Sequence, residues 1–239
     1  METVCVCEGV GLREAIREDL DRYVYIVGVQ HDVKGPLTPL RVGLLSQGLW
    51  ATTAYRVNHH ARYRLHSRLI GVLPAIAHRV MTALTGIQID VQAHIGPGLK
   101  IPHGGKIVVG PVRIGRNCDL FQGVTLGGGM SMTTVDDRDS SPGPPTLGNR
   151  VWVGPGAVIA GDVTVGDDVA VGANSLLVRN VPSRAVVVGV PARVVSRRGS
   201  FAQIAYRGMD DDAERAAALA EDSEAGPVRR DSQNTFNAQ

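Results

Sequence analysis

His103 stands in the run Ile101-Pro102-His103-Gly104-Gly105. A neutral imidazole titrates near working pH, so it can take a proton in one step and return it in the next. The side chain lies two places after Ile101, an apolar residue expected to point inward, so it is expected to point out. The glycines beside it let a ligand come close to the backbone. Of the other histidines, His31, His59, His60, His66 and His78 precede position 85, and His94 lies one place before Ile95 in no motif. No histidine follows His103, so a three-histidine zinc site is not expected and no metal is assigned. Asp136, Asp137 and Asp139 could gather a cation or stand in a solvated loop. Gly127-Gly128-Gly129 is not a phosphate loop, since no Lys-Ser/Thr pair follows it. Cys5, Cys7 and Cys118 make an odd count with one residue between the first two, which is no disulfide framework and a weak metal signal.

The elements that carry these residues are set by a period of six. Aliphatic residues recur at Ile89, Ile95, Ile101 and Ile107. After a slip of one place they resume at Ile114, Leu120 and Leu126. After an interruption they run Leu147, Val153, Ile159, Val165, Val171 and Leu177. Glycine often follows (Gly96, Gly115, Gly127, Gly148, Gly154, Gly166, Gly172), and the fourth place on is small or aliphatic. Six is the period of neither an amphipathic helix nor an alternating strand; it is the hexapeptide repeat of a parallel β-helix. Three short strands make one triangular coil, and the repeated aliphatics stack inside it. On this register Val112, Val124, Trp152 and Val158 are read as outward faces too apolar for free solvent.

Three parts follow. Residues 1–85 read as an α-helical domain, with Leu12, Ile16 and Leu20 on one stripe, a Gly/Pro break at 32–39, and helical stretches at 49–66 and 69–84. Arg56, His59, Arg62 and Arg79 are read on their polar faces. Residues 86–195 form the β-helix, with 127–146 leaving it as an exposed loop. Residues 196–239 lose the period and read as a partly disordered tail, with a short helix starting near Asp210.

Composition excludes several classes. The 239 residues carry 25 Lys+Arg and 23 Asp+Glu, so no basic field marks a nucleic-acid binder. No apolar run reaches the length of a transmembrane helix, and Glu2 and Glu8 stand where a signal peptide would be basic. A cytoplasmic location is expected. Aromatics are only 4% and glycines number 29, which fits a narrow core of small and β-branched residues.

Three stretches together resemble the serine acetyltransferase family of hexapeptide acyltransferases. They are Gly86 to Gly105, Leu120-Phe121-Gln122-Gly123-Val124-Thr125-Leu126-Gly127-Gly128, and Val188-Gly189-Val190-Pro191-Ala192-Arg193. Ala54-Tyr55-Arg56 followed by His59 is similar to a family helix, and the resemblance covers about residues 46–195. It implies a mainly β fold, a left-handed parallel β-helix preceded by a small α-helical domain. It also implies acetyl-CoA as co-substrate, held in the groove between neighbouring coils, and a homotrimer, with residues 1–85 the place where two trimers would pair. His103 takes the place of the family's general base. Gly127, Gly128, Gly154, Ala173 and Arg193 are the positions implied for acetyl-CoA, the glycines letting the pantetheine arm lie on bare backbone. Arg197 and Arg198 are further candidates for its phosphates.

The sequence departs from the family on the acceptor side. The aspartate that the family pairs with its base falls on Gln88, and nearby Asp90 is the second candidate for that partner. The acid before the histidine is Pro102, and an Arg-His pair of the family falls on Gly143 and Pro144. Asp32 resembles a family aspartate that meets the serine amine. The leading expectation is acetyl transfer to the hydroxyl of L-serine, in cysteine biosynthesis. Transfer to another hydroxyl (a sugar, another hydroxy-amino acid or a natural-product intermediate) is the alternative, and a non-catalytic assembly β-helix is a third reading. Partners are expected to be the two small substrates, with neither nucleic acid nor membrane. The chain ends Asn237-Ala238-Gln239 rather than in the family's isoleucine, so no complex with the next enzyme of cysteine synthesis is expected.

Overall fold

The computed structural model describes residues 10–31, 35–64, 71–128 and 143–224. The chain divides into two compact units, Met1–Arg207 and Gly208–Gln239. In the second, helix Ala213–Glu224 is capped by Asp212, whose Oδ1 accepts from the Arg215 N–H at 3.1 Å.

In the first unit the six-residue period folds into three parallel sheets. Sheet A stacks β1 (Ile87–Ile89), β3 (Ile107–Val109), β6 (Thr125–Gly127), β9 (Val158–Ala160) and β12 (Leu176–Leu177). Sheet B stacks β2 (His94–Ile95), β4 (Arg113–Ile114), β7 (Thr146–Leu147) and β10 (Thr164–Val165). Sheet C stacks β5 (Asp119–Leu120), β8 (Trp152–Val153), β11 (Ala170–Val171) and β13 (Val186–Gly189), and β14 (Ala192–Ser196) closes it antiparallel to β13. The chain passes A to B to C in each coil. All thirteen aliphatic positions of the repeat are buried, the most accessible being Ile114 at 3%.

The register corrects one part of the sequence reading. Ile89, Val109, Leu126, Ile159 and Leu177 form one inward column. Val109, not Ile107, therefore holds the repeat position. The turn before it is lengthened and the following turn shortened. Ile107 falls in the neighbouring inward column, above Ile87. For the same reason Val112 and Val124 point inward and are fully buried, not outward; Trp152 and Val158 are half-buried.

The helical part is α1 (Leu12–His31), α2 (Thr38–Leu45), α3 (Gln47–Arg64) and α4 (Val72–Thr85). Helix α2 begins at the edge of what the sequence suggested was a break, with Pro39 in its first turn, where a missing N–H costs nothing. These helices cover the open edge of the first coil, whose backbone groups have no strand beneath them. The Asp19 carboxylate accepts from Gly98 N–H (2.9 Å) and Leu99 N–H (3.0 Å). Arg22 donates to the Gly98 carbonyl (2.6 Å), Tyr55 to that of Ala93 (2.6 Å), and Arg56 to those of Ile95 (3.2 Å) and Gly96 (2.9 Å). Arg56 is thus buried and ion-paired with Asp19 at 2.6 Å, not on a polar face. Arg22 and Lys100 share buried Asp119 at 2.6 and 3.1 Å.

The chain stays packed past residue 195. Ser200 Oγ donates to the Arg150 carbonyl (2.6 Å), Ser200 N–H to that of Asp168 (2.9 Å), and Phe201, Ile204 and Tyr206 are buried. The tail read from the sequence therefore starts too early: residues 196–207 belong to the first unit.

Candidate active site

His103 lies where the chain turns from sheet C into sheet A. From Lys100 to Val108 the chain takes eight positions. The same corner takes six in the coils above, from Asp119 to Thr125 and from Trp152 to Val158. The two extra residues push this turn outward, with Gly105 at φ 104° and Lys106 at φ 52° closing it. His103 is exposed, as its distance from Ile101 foretold.

The turn is anchored from beneath. The Tyr23 hydroxyl donates to the Ile101 carbonyl (2.9 Å) and accepts from the Ile101 N–H (2.8 Å), filling both bonds that a lower strand would have made. Burial pushes this phenol well above its ordinary pKa, so it keeps its proton. Helix α3 touches the same place through Gly48, where any side chain would strike the Ile101 carbonyl and the Tyr23 hydroxyl. Sequence reasoning missed both residues; their partners lie 78 positions away from Tyr23 and 53 from Gly48, beyond the reach of any local pattern.

Above His103 the corner carries aromatic rings. The Phe121 ring centroid is 6.1 Å from that of His103, and the Trp152 centroid 5.2 Å from that of Phe121. Gly154 lies over Phe121, and a Cβ there would come within 2.8 Å of the Trp152 ring and 2.9 Å of the Ala173 nitrogen. Ala173 is exposed at the next turn of the same corner. Arg193, exposed on β14 and paired opposite Val188, stands at the top, its Nη1 donating to the Ala192 carbonyl at 3.2 Å. His103, Gly154, Ala173 and Arg193 thus follow one corner up the stack. Five strand spacings separate the level of Lys100, where this turn begins, from β14, about 24 Å. Gly127 and Gly128 lie at the opposite margin of sheet A, where a Cβ on Gly127 would meet nothing within 4 Å.

Gln88 and Asp90 are not joined to His103. Among the described residues no hydrogen bond links either to it. They line a different concavity, between α3, α4 and β1, together with Asn58, His78 and Arg79. Asp90 Oδ1 accepts from the Gln92 N–H at 2.8 Å, and its charge acts on His78. His78 Nδ1 lies 3.0 Å from Asn58 Nδ2. His94 lies near His59, with centroids 5.6 Å apart, in a cavity of about 450 Å³ under the helices. Cys118 is buried, and burial pushes its thiol up to about 12, which leaves it inert as a nucleophile. Asp32, Cys5, Cys7, Gly129, Asp136, Asp137 and Asp139 lie outside the described residues.

The repeat matches known proteins. The pattern of the bacterial transferase hexapeptide family (six repeats) matches residues 144–179. A serine acetyltransferase of Synechococcus elongatus is 38% identical over 67% of this chain, and the match spans 62% of that enzyme's length, less than two thirds of it. A serine acetyltransferase of Helicobacter pylori is 36% identical over 64% of this chain and 84% of its own. The chain belongs to the serine acetyltransferase family. Among solved serine acetyltransferases, that of Neisseria gonorrhoeae in complex with serine aligns with a TM-score of 0.60 at 27% identity, over 77% of this chain and 69% of its own. The soybean serine acetyltransferase aligns with a TM-score of 0.61 at 31% identity, over 77% and 69%. The coil described above is accordingly the left-handed β-helix of this family.

Proposed function

We propose that this chain transfers the acetyl group of acetyl-CoA to the hydroxyl of L-serine, with His103 as general base. The observation that carries the reading is the lengthened turn that offers an exposed imidazole at the foot of a corner ending in Arg193. A long, thin donor with a thioester at one end and phosphates at the other suits such a corner. His103 takes the proton of the serine hydroxyl as its oxygen bonds to the thioester carbonyl carbon. The carbon–sulfur bond then breaks, and the imidazolium returns the proton to the departing thiolate. The products are O-acetylserine and CoA. Gly154 has a second use, because the Trp152 indole fills the space its side chain would take. Gln88 and Asp90 receive no part in this step, since both face the concavity around His78.

Transfer to a different hydroxyl is the second reading. Pro102, Gly143 and Pro144 carry no side-chain donor for a carboxylate, and they stand where the resemblance calls for charged residues. A homotrimer is part of the proposal, supported by the exposed apolar residues Val108 at the centre of sheet A and Leu73, Ile76 and Leu84 on α4. Release of thiol from acetyl-CoA, measured with L-serine, L-homoserine and a set of sugars, tests the reading. L-Serine should give the highest kcat/KM; a sugar exceeding it would transfer the assignment to the second reading.

A further inference from the structure

A proton-transferring base works only when held near its productive geometry, within about 0.5 Å and 10–20°. His103 stands on a turn two residues longer than its counterparts and followed by two glycines, where an imidazole has several rotamers open to it. Among the described residues no hydrogen bond fixes its ring. What does meet it is Phe121, with centroids 6.1 Å apart and planes at 59°. Phe121 is itself held firmly. Its N–H donates to the Val153 carbonyl at 3.1 Å, and its carbonyl accepts from the Val124 N–H at 3.3 Å. Behind it lies Trp152, centroids 5.2 Å apart and planes at 57°, resting in the space left by the bare Cα of Gly154.

Such rings are scarce in this chain, with 3 Phe and 2 Trp among 239 residues. One of each stands on this outward corner, although the narrow interior has no need of them there. Tilted ring pairs at these separations have a preferred direction that an aliphatic side chain cannot impose. We propose that Phe121, braced by Trp152, is the positioning residue of His103. Its ring sets the plane of the imidazole, the task a carboxylate hydrogen bond performs in other bases. The inference rests on His103 being the general base.

Two variants test it. Phe121→Leu keeps apolar bulk but loses the ring; Phe121→Tyr keeps the ring. Phe121→Leu should lower kcat about 3–10-fold, with the KM for acetyl-CoA within about twofold of wild type, and Phe121→Tyr should restore kcat. A Phe121→Leu enzyme with wild-type kcat would overturn the inference, as would Phe121→Tyr falling as far as Phe121→Leu. A second readout does not depend on catalysis. In protein labelled at histidine, the His103 ring-proton signals should carry a ring-current shift that disappears in Phe121→Leu and persists in Phe121→Tyr. Signals that stay in place in Phe121→Leu would also overturn it. Failure of the functional reading looks different: wild type and His103→Ala would then be equally inactive while the ring-current shift remained.

Discussion

Removing the imidazole of His103 should separate chemistry from binding. An alcohol is a weak nucleophile at neutral pH, and general-base help is worth roughly 10²–10⁴ in rate. His103→Ala is therefore expected to lower kcat by that factor in the thiol-release assay, with little change in the KM for acetyl-CoA. His94→Ala serves as the control and should leave kcat close to wild type, because His94 lies beside His59 under the helical cap. A His103→Ala enzyme with full turnover would remove the mechanism. The position and exposure of His103 were legible because its turn is flanked by Pro102 and two glycines and counted from an inward isoleucine. Its surroundings were not. Counting fifteen places back assigns Gln88 as partner; in the structure Gln88 lines the concavity beside α4, and among the described residues no hydrogen bond joins it to His103. The aromatic neighbours come from later coils, and Phe121 and Trp152 carried only one available signal, their rarity.

The helices act as a lid on an unfinished edge, and that lid is held by charge. Asp19 is fully buried between Arg56 and the Gly98 and Leu99 amides. Asp19→Asn would leave the Arg56 guanidinium buried without its counter-charge, a change expected to cost about 3–5 kcal/mol. Urea unfolding of the variant should show that loss in the midpoint; an unchanged midpoint would mean that the ion pair adds nothing net. The lid should also loosen on acidification. Burial holds His59 and His78 below the ordinary histidine value of 6.5, with Arg56, His60 and His94 acting on the first in the same direction and Arg79 on the second, against Asp90. The unfolded chain then binds more protons than the folded one below about pH 6.5, so stability rises with pH through that window and is lost as pH falls. The urea midpoint at pH 5.5 should lie below that at pH 7.5, and replacing both histidines by glutamine should flatten the difference. The coil itself was plain in the sequence, because every sixth side chain must fill the same narrow space. The slip was misplaced by one turn because Ile107 and Val109 are both aliphatic and both buried. The anchoring of α1 was invisible: its most buried side chains include Asp19 and Arg22, which a hydrophobic stripe cannot reveal.

At the scale of the molecule, the assembly should be a trimer at micromolar concentration. Light scattering giving the mass of one protomer would overturn the trimer. The two units were only partly legible. The sequence reading divided the chain near residues 86 and 196, where the period starts and stops. The structure divides it at Arg207 instead, because segment 196–207 is tied back to the coil by hydrogen bonds to Arg150, Asp168 and Arg184.

The stack of coils has a direction. In sheets A and B every strand points the same way, and only β14 runs against its neighbour in sheet C. The lower end of one such rod is complementary to the upper end of another, a head-to-tail joint with no closing symmetry, which is the geometry of an open filament. Helices α1 and α3 plug one end, and β14 turns back across the last strand of sheet C at the other. A chain beginning at Gly86 would expose the amides and carbonyls of Ile95 to Ile101 that Asp19, Arg22, Tyr23 and Arg56 now hold. Such a chain still carries β14 at its far end, so its bared edge can pair only with another bared edge; it should associate to twice the mass of the full-chain assembly by light scattering, while the full chain does not. The lid and β14 are then a length control: together they make a finite particle from a repeat that has no internal reason to stop.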